Sequence, residues 1–232
     1  MFSEARTALV IGATRGIGAA TARRLVAEGY RVAGTHRAGG SLPEDLLGIE
    51  MDLTDNDSIT AGVKQAAKEL GRLDVLVVTA GMTRDKLLMR MTPEDFTDVM
   101  QVNAIGPMLA CKAALGPMMR QKSGSIVLVS SMSAKYGVAG QTNYTASKGA
   151  VEAFARSMSR EYAGRGLRVN VVAPGATDTD MMAETPEAAR SAMLEEIPMG
   201  RLGQAEEIAE AIVHTAQSTY MTGATIPVGG GI

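Results

Sequence analysis

The chain has 232 residues, 46% hydrophobic and 21% charged, enough to bury one large core in a single domain spanning residues 1–232. A formal net charge of −2 gives no global basic field and so no implied nucleic-acid partner, and the lone Cys111 excludes an intramolecular disulfide framework and a cysteine-based zinc site. The opening MFSEARTALVIGA lacks a basic stretch leading into an apolar core, and nowhere do roughly 18 apolar residues run uninterrupted. A soluble, cytoplasmic protein with no membrane partner and no metal is expected.

In chain order, TALVI (7–11) is a short apolar run followed directly by GATRGIG (12–18) at the front of a helical pattern over 17–28. Glycines at 12, 16 and 18 permit a tight turn and bring backbone N–H groups close to a pyrophosphate at the positive end of a helix. The plainer reading is a helix entry without a ligand. The next run, YRVAGT (30–35), ends in GTHRAGG, with Thr35, His36 and Arg37 and no carboxylate before Glu44. An acidic residue there would bond the ribose 2′-OH of NAD, whereas Arg15 and Arg37 together offer a cationic fork for the 2′-phosphate of NADP. A solvated loop charge is the alternative for Arg37.

A short strand over 48–53 brings Asp52 to the same edge, either as an acceptor for the adenine amino group or as a helix cap for the pattern over 57–70. LDVLVVT (73–79) leads to Ala80 and Gly81, whose smallness leaves room for a ribose at the carboxyl edge of a sheet. Helical patterns over 93–102 and 107–122 flank Asn103, a poor helix former that is either functional or a satisfied core amide. SIVLVSS (125–131) ends in Ser130 and Ser131, with Ser133 close behind, three candidates for a hydroxyl that polarises a substrate carbonyl.

The helical pattern over 144–163 begins with Tyr144 and Lys148, one turn apart on one face. An ammonium beside a phenol favours the phenolate and lowers the tyrosine pKa toward the working pH. LRVNVVAP (167–174) opens onto the second of the two densest loop signals, 38–45 and 175–188, a candidate lid in which Met181 and Met182 face an acyl chain or simply fill space. Helices over 186–196 and 205–217 and a strand over 224–228 complete an alternation of strand and helix. That pattern predicts an α/β fold, a doubly wound Rossmann-type parallel sheet with helices on both faces. No Gly-x-Ser-x-Gly elbow supports a hydrolase, and Cys111 reads as core.

Gly12-x3-Gly16-x-Gly18, Asn103-Ala104-x-Gly106, Ser131, Tyr144-x3-Lys148 and Pro174-Gly175, in this order and spacing, resemble the short-chain dehydrogenase/reductase family across essentially the whole chain. MTRDKLLMRM (82–91), GVAGQTNYTASK (137–148), RVNVVAPGATDTDM (168–181) and IPMGRLGQAEEIA (197–209) are similar to the branch that reduces 3-oxoacyl groups on acyl carrier protein in fatty acid biosynthesis. The resemblance implies an NADPH-dependent oxidoreductase with a tetrad of Asn103, Ser131, Tyr144 and Lys148, Asn103 holding a water that relays protons to Lys148. It extends the cofactor site to Thr14, Ile17, Leu53, Pro174, Gly175, Thr177 and Thr179. It also implies a homotetramer and docking of the carrier protein at Lys122 and Arg165.

Two departures stand out. Val78-Thr79-Ala80-Gly81 replaces the family's usual Asn-Asn-Ala-Gly, implying a local adjustment of the sheet, and the ending GGGI is shorter than the tail that reaches a subunit interface in many relatives. Alternatives to carrier-bound reduction are a ketoreductase acting on a polyketide or small ketone and a non-catalytic NADP-binding regulator. A nucleotide-sugar epimerase needs more chain than this.

Overall fold

The structure, a computed structural model, describes residues 5–183 and 187–232. It begins with β1 (Thr7–Ile11), α1 (Gly16–Ala27), β2 (Arg31–His36), β3 (Leu47–Glu50), α2 (Asn56–Leu70) and β4 (Val75–Val78). Then come α3 (Pro93–Met100), α4 (Gly106–Gln121), β5 (Gly124–Val129), the single turn α5 (Ser133–Tyr136) and the long α6 (Thr142–Tyr162). The chain closes with β6 (Leu167–Pro174), β7 (Thr177–Asp178), α7 (Asp180–Ala183), α8 (Glu187–Glu196), β8 (Gly203–Gln204), α9 (Ala205–Gln217) and β9 (Thr225–Val228).

Seven strands pair in parallel in the order β3-β2-β1-β4-β5-β6-β9, the doubly wound sheet that the alternation predicts. Successive side chains of a strand point to opposite faces, and here both faces are covered. Leu9, Ile11, Leu76, Val78, Ile126 and Leu128 pack with α2, α4 and α6 on one side. Ala8, Val10, Val75, Val77, Val127 and Val129 pack with α1 and α9 on the other. This is why the strands read as continuous apolar runs without a period of two. Each large aliphatic residue so buried contributes roughly 1.5–3 kcal/mol relative to exposure.

The direction of winding reverses between β1 and β4, and the carboxyl ends of the strands there splay their connections apart into a crevice. Gly12 (φ +92°) and Gly18 shape the first of those connections. A Cβ on Gly18 would overlap the carbonyl oxygen of Gly12 and stand 2.6 Å from Thr79 Oγ1, and one on Gly12 would stand 2.8 Å from Ala80 N. The glycines therefore let α1 and the end of β4 close on the turn.

The sequence expectations differ from the fold at three points. The two helices flanking Asn103 are one continuous helical run in which residues Gln101–Ile105 form a π turn, closed by Gly106 N–H on Gln101 O. Pro107 has no N–H to give Asn103 O in the α pattern, and the wider turn accommodates that gap. The strand expected over 48–53 stops at Glu50, because Asp52 turns the chain by accepting Thr54 N–H and Oγ1–H, both at 2.8 Å. The strand expected to reach Ser131 stops at Val129, and α5 follows almost at once. Of the predicted lid, residues 184–186, where the helix expected over 186–196 begins, lie outside the described residues, as does the side chain of Met181.

Gly18→Ala should lower the melting temperature by an amount corresponding to at least about 1–3 kcal/mol, since the added methyl meets backbone and not a yielding side chain. Thermal denaturation followed by circular dichroism checks this.

Candidate active site

A cleft of about 380 Å³ lies at the carboxyl ends of β1, β4, β5 and β6. It brings together Gly12, Arg15, Gly16, Ile17, Gly18, Ala80, Gly81, Ser131, Tyr144, Lys148, Pro174, Gly175, Thr177 and Thr179 from the sequence reading. Thr14, Arg37, Asp52, Leu53 and Asn103 do not line it. Arg37 lies close enough to Asp52 to help hold that carboxyl below its ordinary range, after the larger effect of the bonds from Thr54. The two thus share one place at the end of the second and third strands.

The glycine turn fits an anionic cofactor. Helix α1 begins at Gly16 with no acidic residue in its first turn, so its positive end is not neutralised from within. Gly16 (φ +53°) has open space around a would-be Cβ except for Thr179 at 3.5 Å, and a side chain there would intrude on that space. Arg15 reaches across to Asp180 at 3.6 Å, both side chains being exposed. Thr79 supplies the brace that its departure from the family pattern put in question, donating to Ile11 O at 2.9 Å and Gly12 O at 3.3 Å. Thr35, which the sequence reading placed only as a neighbour of Arg37, accepts Gly12 N–H at 3.0 Å and anchors the turn from the other side. A polar residue at the buried end of an apolar strand was the signal for it.

The three serines separate cleanly. Ser130 is buried and donates to Glu152 Oε1 at 2.8 Å, tying β5 to α6. Ser133 donates from both its N–H (3.2 Å) and its hydroxyl (3.0 Å) to Ser131 Oγ. With its lone pairs so occupied, Ser131 has its own hydrogen to give, and it faces the same cleft as Tyr144, whose phenol it influences. Tyr144 and Lys148 share the cleft face of α6, Lys148 Nζ standing 5.6 Å from the centre of the phenol ring.

The electrostatics reverse the expectation that Lys148 acidifies the phenol. Burial pushes the Tyr144 pKa up, and the nearby Ser131 hydroxyl opposes this, while the charge of Asp85 adds to the rise. Lys148 is 3% exposed, donates to Val129 O at 2.9 Å, and is pushed by burial from 10.5 down to about 8. A dehydrated cleft disfavours both charged forms more than the pair favours them.

Asn103 is buried under the cleft floor. Its Oδ1 accepts Met82 N–H at 2.8 Å, and its Nδ2 donates to Met82 O at 2.9 Å and Ser147 Oγ at 3.1 Å. Both amide hydrogens are taken, so the side chain braces the segment after β4 against α6. A Cβ on Gly81 would sit 3.4 Å from both Asn103 Oδ1 and Lys148 Nζ, so its absence keeps the ammonium open to the cleft. Residues missed in the sequence also line the wall, Asp85 and Gln141, joined at 2.7 Å, with Tyr136, Val138 and Met193, and the lid residue Met182 of the sequence reading lines it too. Lys122 and Arg165 lie elsewhere, just ahead of β5 and β6 at the opposite edge of the sheet.

Lys148 binds fewer protons folded than unfolded between about pH 8 and pH 10.5, so stability rises with pH across that window. Lys148→Met should therefore melt above wild type at pH 7, with the difference shrinking as pH climbs from about 8 to 10.5. Thermal melts across pH test the sign.

Among the described residues no helix is long and apolar enough to cross a membrane. A family model described as short chain dehydrogenase matches residues 6–190. The chain is 43% identical to a 3-oxoacyl-[acyl-carrier-protein] reductase from Vibrio harveyi, covering 99% of this chain and 98% of that one. It is 41% identical to one from Mycobacterium avium (98% and 89% covered) and 40% identical to one from Escherichia coli strain K12 (99% and 98% covered). The chain thus belongs to the short-chain dehydrogenase/reductase family.

Proposed function

We propose that this protein is a cytoplasmic, NADPH-dependent reductase of 3-oxoacyl groups carried on acyl carrier protein, a step of fatty acid biosynthesis. The observation that carries the reading is the convergence of Ser131, Tyr144 and a buried Lys148 on one cleft at the open end of the glycine turn. The names of the similar proteins support the substrate class.

In this reading the N–H groups of the glycine turn from Gly12 through Gly18, Thr14 included, hold the pyrophosphate. Arg15 and Arg37 hold a 2′-phosphate, Asp52 and Leu53 hold the adenine, and Ala80 and Gly81 border the ribose. Pro174, Gly175, Thr177 and Thr179 border the nicotinamide end. A bound nicotinamide cofactor supplies the hydride. Ser131 donates its hydrogen to the C3 carbonyl oxygen and polarises it. Tyr144, held protonated by burial, gives its proton to that oxygen as the 3-hydroxyacyl product forms. Lys148, turned onto Val129 O and facing the cleft past Gly81, bonds ribose hydroxyls and steadies the phenolate left behind. Asn103 keeps the segment after β4 and helix α6 in register around them.

We also propose a homotetramer in which Lys122 and Arg165 receive the carrier protein. Their backbones adjoin, for a Cβ on Gly166 would overlap the carbonyl oxygen of Lys122. The six residues of β5, roughly 20 Å of strand, separate them from the cleft of their own chain.

Purified protein should oxidise NADPH, and NADH far more slowly, with an acetoacetyl thioester, and Tyr144→Phe should keep NADPH binding while losing at least about 100-fold in kcat. A folded wild type without turnover would end the reading. Lys122→Glu and Arg165→Glu should raise KM for carrier-bound substrate by roughly tenfold and leave a free thioester unaffected; equal effects on both substrates would remove the docking assignment.

A further inference from the structure

Asn143, the residue immediately before Tyr144, is as buried as any side chain in the core, at 0% exposure, and has no part in the chemistry described so far. Helix α6 begins at Thr142 with Gln141 as its N-cap, yet Gln141 makes no side-chain bond to the helix. The first turn of a helix has N–H groups without partners inside it. Gln141 turns its amide away to Asp85. Asn143 takes over part of the capping, its Oδ1 accepting Tyr144 N–H at 2.8 Å. Its Nδ2 meanwhile donates to Arg84 O at 3.1 Å and to Asp95 O at 2.9 Å.

One amide therefore joins the segment after β4, the first turn of α3 and the residue that carries the phenol. Neighbouring bonds stiffen the same junction. Lys86 N–H donates to Gly140 O at 2.9 Å, and the Lys86 ammonium stands 2.7 Å from the Asp95 carboxylate. At the segment's start, Asn103 ties Met82 to Ser147. The segment over 82–91 and the start of α6 are thus fastened together at both ends of the first helical turn.

We propose that Asn143 is a positioning residue for proton transfer, fixing where the Tyr144 hydroxyl stands relative to Ser131 by locking the start of α6 onto the segment after β4 and the first turn of α3. The inference rests on the reading that Tyr144 delivers the proton. A simple cap would hold the helix without regard to what lies across the cleft. The donations to Arg84 O and Asp95 O leave the first turn no room to slide, and a displacement of about 1 Å at a reacting group can cost on the order of 100-fold in rate. The groups facing the phenol are Ser131 after β5, Asp85 on the fastened segment and Lys148 on its own helix.

Two substitutions divide the role. Asn143→Asp keeps an acceptor for Tyr144 N–H but sets a carboxylate against two carbonyl oxygens; Asn143→Ala removes all three bonds, and Asn143→Ser replaces it should the alanine variant unfold. Each is measured for melting temperature, NADPH binding, and kcat and KM with an acetoacetyl thioester. Titration of the Tyr144 phenol is read as the ultraviolet difference from the same protein carrying Tyr144→Phe. Both variants should bind NADPH within about twofold of wild type while kcat drops roughly 10–100-fold with KM little changed. The phenol should titrate nearer its ordinary 10.0, because loosening the turn admits water. A lowered melting temperature with kcat and the phenol titration both unchanged would make Asn143 a plain structural amide and overturn the proposal. A wild type that does not turn over, with a phenol that still shifts in the variants, would count against the proposed reaction while leaving the positioning role in place.

Discussion

The bond from Lys148 Nζ to Val129 O is the contact on which the rest of the cleft depends. It joins the cleft face of α6 to the last residue of β5, and Ser131 follows only two residues later. Because a helix is stiff along its axis, fixing Lys148 also fixes Tyr144 one turn before it. The ammonium is held there against its own hydration. Burying it costs on the order of 3 kcal/mol at neutral pH, a local loss that the two apolar cores flanking the sheet offset. Cost and consequence sit in the same atom, since a hydrated lysine would be free to turn out of the cleft.

The opposite wall depends on close approach instead of charge. At Gly12 and Gly18 the backbone of the first connection runs against β4 with no space for a side chain, and Thr79 and Thr35 satisfy or use the polar groups that this crowding exposes. A threonine at position 79 reaches two carbonyl oxygens from one hydroxyl. It braces the turn with a shorter side chain than the asparagine usual in the family, which is why the departure leaves the cleft intact.

Much of this was legible in the sequence because it depends on short-range rules. Apolar runs covered on both faces, the glycine turn ahead of α1, and the spacing of Tyr144 and Lys148 each follow from local geometry, and the fold and the lining of the cleft agree with them. What was not legible depends on which groups meet across the chain. Nothing local in SIVLVSSMS distinguishes Ser131 from Ser130 and Ser133; Glu152 and the mutual bonds of Ser131 and Ser133 decide it. The π turn at Asn103 and the shortened third strand follow from Pro107 and Thr54, whose effects a hydropathy pattern cannot register. Lys122 and Arg165 shared a charge with the expected surface, but only the sheet topology reveals that they lie at its far edge.

The reversed electrostatics of Tyr144 carry the same lesson into the chemistry. From spacing alone, a lysine one turn from a tyrosine argues for an acidified phenol, since only the pair interaction is visible. In the folded protein both groups have lost water, and dehydration raises the phenol and lowers the ammonium. For the proposed reduction this is the useful direction at the start of the cycle, because the proton to be delivered must still be on the oxygen when the carbonyl arrives. In the proposed reaction the ammonium matters at the end of the transfer, when the phenolate it faces has formed in a site of low polarity and an opposite charge there is worth far more than in water.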